Sequence, residues 1–312
     1  MTYKEKKDQE VSVQGAIVRE LIAHFTSDHL IGKKLKNGEI RKKLTEPPWS
    51  VPDGFTLTEI PMEEFTMEWL TAKCQDSDSV LLQLHGGGYI GAMRNIYRNF
   101  AVAYCELGNG MPVLSIDYRV APENPYPAAL EDAISAYRWL LMKGYEGNHI
   151  FLAGDSAGGG LAMALVMYLK DHGEPLPKGV IAMSPWTDMT ASGESYQTNF
   201  EKDPLFGRTK DSMIYNREYL GLENPENPYI SPLFGDFTGF PPMLLQVGSY
   251  EMLLSDSVLT AKKAKGQGVK VRLHVYEGMF HVFQMAMQHM PESIHAWKEV
   301  GKFLELLGES EI

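Results

Sequence analysis

From residue 79 onward, short apolar runs alternate with longer helical patterns, and this rhythm constrains the fold more than any other feature. The runs are SVLLQLHG (79 to 86), MPVLSIDY (111 to 118), NHIFLAGD (148 to 155), KGVIAMSP (178 to 185), PMLLQVGS (242 to 249) and VKVRLHVYEG (269 to 278). The stretches near 95 to 108, 128 to 143, 157 to 172, 256 to 267 and 292 to 307 read as helices. Strands that are apolar along most of their length are buried on both faces, which requires helices on both sides of a mainly parallel sheet. The expected class is therefore α/β. The earlier segments FTLTEIPM and FTMEWLTA read as an antiparallel pair at one edge.

Two regions break the rhythm. In residues 1 to 45, Val18, Leu21, Ile22 and Phe25 fall at helical spacing on one face, and Leu35, Ile40 and Leu44 follow in a basic segment. That pattern predicts an amphipathic helical pair that needs a surface to sit on. The second region, about 190 to 235, is a long insertion between two strands. In an α/β domain such an insertion usually lies over the carboxyl ends of the strands, where ligands bind. A length of 312 residues fits one main domain with a modest appendage, and 44% hydrophobic with 22% charged residues is ordinary for a globular chain.

The net charge of −11 gives a nucleic-acid backbone nothing to bind. The opening MTYKEKKDQEVSVQG lacks the apolar stretch of a secretory signal, and no run reaches transmembrane length, so a cytoplasmic location without stable membrane insertion is expected. Cys74 and Cys105 match no paired metal spacing and are too few for a disulfide framework.

Chemistry enters at AGDSAGGG, residues 153 to 160. An apolar strand runs directly into Gly154-Asp155-Ser156-Ala157-Gly158, and a helical pattern begins at once. This is G-x-S-x-G in strand, turn, helix context, the setting that lifts a serine hydroxyl above a sheet as a nucleophile. Gly154 and Gly158 make room for so sharp a turn, and the Ala157 amide falls at a helix N-terminus, where a developing oxyanion is stabilised. A second glycine-rich segment, QLHGGGYIGA (83 to 92), follows the first parallel strand. It has neither the lysine of a phosphate-binding P-loop nor a G-x-G-x-x-G pattern with a suitable acid. An H-G-G-G segment forms the second wall of the oxyanion hole in esterases, and on that likeness Gly87 and Gly88 are the expected oxyanion donors alongside Ala157. His85 is expected to orient this loop rather than to act as a base.

A serine nucleophile needs a base, and the base needs an acid to fix its tautomer. His281, in YEGMFHVF just past the last strand run, is the expected base. The segment YEMLLSDS offers two acids. Glu251 lies two residues beyond the strand end and is favoured, with Asp256 as the alternative, since Asp256 also reads as an acid in the first turn of a helix. Tyr89, Trp186, Phe206, Phe280 and Phe283 suggest an apolar substrate pocket. Met279, Met285, Met287 and Met290 read as core.

Together, HGGGY, GDSAGGG, DYRVAPENPYPAALEDA (117 to 133) and SPWTDMT (184 to 190) resemble the bacterial hormone-sensitive-lipase family of α/β-hydrolases, over most of the chain after about residue 75. The resemblance implies an eight-stranded, mostly parallel sheet and a helical cap. The cap would be built from the N-terminus, residues 1 to 50, and the segment about 190 to 235 of a catalytic domain spanning 51 to 312. It also implies hydrolysis of short- to medium-chain carboxylic esters without metal or other cofactor, and frequent homodimers. The family's usual acid is an aspartate in a Y-D-P-L-like string, where this sequence has YEML. The same site could serve a lactonase, amidase or acyltransferase. The same fold also serves ligand receptors that lack the catalytic histidine, a reading that Ser156, His281 and the glycine loop disfavour.

Overall fold

The computed structural model describes residues 11 to 26 and 46 to 308. Helix α1 (Val13–Thr26) precedes an antiparallel pair, β1 (Phe55–Pro61) and β2 (Thr66–Ala72). Then come β3 (Val80–Leu84), α2 (Asn95–Leu107), β4 (Val113–Asp117), α3 (Ala128–Met142), β5 (Ile150–Asp155) and α4 (Ala157–Asp171). The chain continues through β6 (Gly179–Met183), a long connection, β7 (Met243–Gly248), α5 (Leu254–Gly266), β8 (Val271–Tyr276) and α6 (Pro291–Gly308). One eight-stranded sheet results, in the order β1-β2-β4-β3-β5-β6-β7-β8. Every neighbouring pair from β4 to β8 is parallel, and β2 is antiparallel to both its neighbours.

The two-residue period of a strand sorts the apolar runs onto two faces. Leu81, Phe151, Ile181 and Leu244 point to a layer closed by Tyr97, Phe100 and Tyr104 of α2 and Trp297, Val300 and Phe303 of α6. Leu82, Leu152, Val180 and Leu245 point the other way, against α3, α4 and α5. Covering both faces explains why these strands carry no polar alternation. The edge strands β1 and β8 are the exceptions, with most of their residues partly or fully exposed.

The strand order reverses between β3 and β5. From β3 the chain steps outward to β4 on one side, then returns to place β5 on the other. At such a point the loops leaving adjacent carboxyl ends diverge and open a crevice. The pairing of Leu84 with Gly154 sets the glycine loop beside the serine turn.

Two expectations need correction. On α1, Val18 and Ile22 pack beside Tyr276, Met279 and Phe280, but Leu21 is exposed, as are Val13 and Ile17. The apolar face that meets the core is narrower than the spacing predicts. The Phe25 side chain and residues Leu35, Ile40 and Leu44 lie outside the described set. The connection from β6 to β7 holds one helical turn, Ser195–Thr198, and 3-10 turns at Met213–Tyr215 and Pro232–Phe234, so turns rather than long helices build it. Among the described residues, no helix is long and apolar enough to cross a membrane.

Trp297 meets Phe100 and Tyr104 edge-on at 4.9 and 5.0 Å, and its indole N–H donates to the Gln284 carbonyl at 3.1 Å. Trp297→Ala is expected to cost about 3–5 kcal/mol through the cavity it leaves. Urea unfolding of parent and variant measures the loss, and a change below about 1 kcal/mol would contradict this packing role.

Candidate active site

The serine turn is made by close backbone contact. A Cβ on Gly158 would lie 2.1 Å from the Leu84 carbonyl oxygen, and one on Gly154 would lie 2.3 Å from the Gly158 oxygen. No side chain fits at either position, so β5, the turn and α4 can close on one another. Ser156 itself takes a left-handed φ of 52°, uncommon for a residue with a Cβ. Its amide donates to Met183 O at 2.9 Å, and the Trp186 amide donates to Ser156 O at 2.9 Å. These bonds fasten the strained turn to the end of β6.

The glycine loop is held from beneath. Gly87 and Gly88 have φ of +114° and +64°, conformations that glycine adopts at little steric cost. The Gly86 amide donates to Asp155 Oδ1 at 3.0 Å and to the Tyr97 hydroxyl at 3.0 Å, while that hydroxyl donates to Asp155 Oδ2 at 3.2 Å. His85 is buried under the loop, where its Nδ1–H donates to Gly86 O at 2.6 Å and its ring stacks on Tyr118 at 4.1 Å. Burial lowers the His85 pKa. His85 thus packs as an internal support of the loop. Asp155 and Tyr97, which the sequence reading did not single out, tie the loop to the residue preceding Ser156.

His281 lies on the turn after β8. Its Nδ1–H donates to Glu251 Oε2 at 2.9 Å, a geometry that leaves Nε2 as the acceptor nitrogen. Of the two acids weighed from the sequence, Glu251 is the one that meets His281. Asp256 instead accepts the amides of Thr187 and Asp188 at 2.7 and 2.9 Å, and its burial raises its pKa well above the usual range. That contact anchors the connection from β6 to β7 onto α5.

Ser156 and His281 line one cleft of about 690 Å³, together with Gly86, Gly87 and Asp155. Its other walls include Pro47, Pro48, Trp49, Leu205, Phe206 and Met213. The Phe206 ring lies 4.6 Å from the His281 ring. Charged side chains at one end are paired, Arg94 with Glu46 at 3.1 Å and Arg98 with Glu68 at 2.6 Å.

Of the aromatic residues expected in the pocket, only Phe206 lines this cleft. Tyr89 stacks on Tyr219 at 3.8 Å within the core and tilts against Trp186 at 6.3 Å. Phe280 and Phe283 are buried with Tyr276 and Met279. Proximity in sequence to the glycine loop or to His281 does not decide which way a ring points. Conversely Met285, read as core, is partly exposed and lines the cleft, whereas Met279 and Met290 are buried as expected. Met287 packs partly buried beside the α2 and α6 layer.

Burial raises the Asp155 pKa from 3.8 to about 6, against the lowering effect of its donors and of His281. In the unfolded chain the carboxyl returns to its ordinary value, so the folded state holds this proton more tightly. Its contribution to stability is complete below about pH 4 and is lost as pH rises through about 6. An asparagine at this position does not titrate. From pH 4 to pH 7, Asp155→Asn is expected to gain on the order of 3 kcal/mol of stability relative to the parent. Urea unfolding at both pH values measures this, and an unchanged difference would show that Asp155 is not the titrating group.

Comparison with known proteins agrees with this architecture. Residues 81–285 match a family model described as the alpha/beta hydrolase fold. An acetyl-hydrolase of Streptomyces hygroscopicus is 39% identical over 254 residues, covering 81% of this chain and 83% of that protein. Among solved structures, an esterase/lipase from an uncultured bacterium superposes with a TM-score of 0.83 at 33% identity, covering 95% of this chain and 99% of that one. An esterase from the bacterial hormone-sensitive lipase family gives a TM-score of 0.81 at 36% identity, covering 95% and 98%. On these matches and on the sheet and loops that carry its motifs, the chain belongs to the bacterial hormone-sensitive-lipase family of α/β-hydrolases.

Proposed function

We propose that the protein is a serine carboxylesterase that hydrolyses short- to medium-chain carboxylic esters through an acyl-enzyme, with Ser156, His281 and Glu251 as nucleophile, base and acid. The observation that carries this reading is the Glu251–His281 hydrogen bond of 2.9 Å at the wall of the cleft that Ser156 also lines. The relatives named esterase and acetyl-hydrolase support the same reaction class.

In this reading His281 Nε2 takes the Ser156 proton as Oγ attacks the ester carbonyl carbon. The carbonyl oxygen becomes an oxyanion, held by the amides of Gly87, Gly88 and Ala157. The tetrahedral centre collapses, its bond to the alcohol oxygen breaks, and His281 gives its proton to that oxygen. Water then attacks the acyl-enzyme with His281 again taking a proton, the bond between the acyl carbon and Oγ breaks, and His281 returns its proton to Oγ as the acid product departs. Glu251 fixes the tautomer of His281 and stabilises the imidazolium.

The pairing of Arg94 and Arg98 with carboxylates leaves a largely apolar, charge-balanced cleft, which suits a neutral ester better than an ionised substrate. The connection from β6 to β7 takes the position of a cap, with Phe206 beside His281. The N-terminal part of the cap, a cytoplasmic location and a homodimer belong to the same proposal.

Turnover of p-nitrophenyl acetate and butyrate tests the assignment. Ser156→Ala is expected to lower kcat by about four orders of magnitude or more, and Glu251→Gln by about two to four orders. Asp256→Asn is expected to act mainly on stability. Full activity in Ser156→Ala would overturn the nucleophile assignment, and abolition of turnover by Asp256→Asn alone would overturn that of the acid.

A further inference from the structure

Ser184 stands where three strand ends meet. It follows β6 directly, is fully buried, and holds a left-handed φ of 47°. Its amide donates to Gln246 O, in β7, at 2.6 Å. Its hydroxyl donates to Glu251 Oε1 at 2.7 Å and accepts the Val282 amide at 3.1 Å. Val282, the residue after His281, is itself left-handed, with φ of 48°. One hydroxyl thus joins the turn that bears the acid to the turn that bears the histidine.

A non-glycine residue in this conformation is strained, and glycine would relieve that strain. Glycine cannot replace the side chain, because the oxygen both donates and accepts. Without it, the Val282 amide and one lone pair of Glu251 Oε1 lose a partner inside the protein. Glutamate also has one more rotatable bond than aspartate, so its carboxylate needs more restraint to keep one oxygen on the imidazole. Oε1 receives that restraint from Ser184 and the Gly248 amide, while Oε2 faces His281.

We propose that Ser184 is a positioning residue for the ester hydrolysis described above: its hydroxyl holds Glu251 and the His281 turn in the one arrangement that orients the imidazole. The inference rests on the esterase reading and adds a residue that acts through Glu251. Ser184 itself does not line the cleft and reaches its lining through the main-chain amide of Val282, so its loss is expected in kcat rather than in KM.

The test uses the full chain and p-nitrophenyl butyrate. Ser184→Ala and Ser184→Gly are both expected to lower kcat by about 10- to 100-fold, the effect of losing a hydrogen bond to a charged group, with KM within about twofold. Glycine removes the hydroxyl while relieving the backbone, so equal losses in the two variants assign the effect to the oxygen. Ser184→Gly also keeps the measurement possible if Ser184→Ala folds poorly. In a Glu251→Gln background, adding Ser184→Ala is expected to cost no more than about a further twofold, since the group it positions is already altered. A parent-like kcat in either single variant would overturn the positioning role alone, as would losses that multiply in the double variant. Absence of Ser156-dependent turnover in the parent would overturn the esterase reading and this role with it.

Discussion

The parallel pairing of β3 with β5 brings two loops closer together than any pair of side chains would permit, and the rest of the site depends on that approach. Leu84 is paired with Gly154, and a Cβ on Gly158 would strike the carbonyl oxygens of Leu84 and His85 at 2.1 and 2.5 Å. A Cβ on Gly86 would meet the Asp155 carboxylate at 2.3 Å. Glycines on both sides let main chain pack against main chain. Asp155 and Tyr97 then bridge the gap with hydrogen bonds that larger loops could not have formed. Ser156 and the glycine loop are therefore placed by the sheet's register rather than by their own side chains.

What could be read from the sequence followed from how demanding each feature is. Five apolar runs announce parallel strands covered on both faces, whereas the sixth, VKVRLHVYEG, carries polar residues in alternation and becomes the partly exposed edge strand β8. Glycines at 154 and 158 and at 86 to 88 announce close approach because few other roles justify their entropic cost. His281 and Glu251 were legible as chemically capable residues just beyond strand ends, and the structure brings them within 2.9 Å. Less legible were common residues whose meaning comes only from assembly. Ser184 lies inside a motif already noted, yet nothing local says that its hydroxyl reaches Glu251, 67 residues away. Tyr89 and Trp186 lie within two of the motifs but turn into an aromatic layer with Tyr219. Sequence proximity fixes where a Cα lies and leaves the direction of the ring to tertiary packing.

The choice between Glu251 and Asp256 shows the same limit at closer range. Both carboxylates are fully buried and belong to one turn and the start of one helix. A shift of five positions moves the carboxylate from the side facing the β8 turn to the side facing the connection from β6 to β7. There Asp256 meets amides instead of an imidazole. Two acids of similar burial thus have different surroundings, one beside a titratable ring and the other capping main-chain donors.

The same connection grips the turn that bears Glu251. Asn199 Nδ2 donates to the carbonyls of Ser249 and Glu251 at 2.9 and 2.8 Å, and Ser195 Oγ donates to Met252 O at 2.6 Å. Asp203 accepts the Met252 amide at 2.7 Å through one oxygen and the amides of Leu205 and Phe206 at 2.8 and 3.0 Å through the other. One carboxylate therefore links the acid-bearing turn to the segment whose phenyl ring rests beside His281. The connection has little regular helix, so these bonds to the turn between β7 and α5 supply order that helical hydrogen bonding would otherwise give. A wall of the cleft and the seat of the acid are consequently one hydrogen-bonded unit. Asp203 thus ties the Leu205 and Phe206 wall of the cleft to the turn that follows Glu251, so the wall and that turn share one anchor.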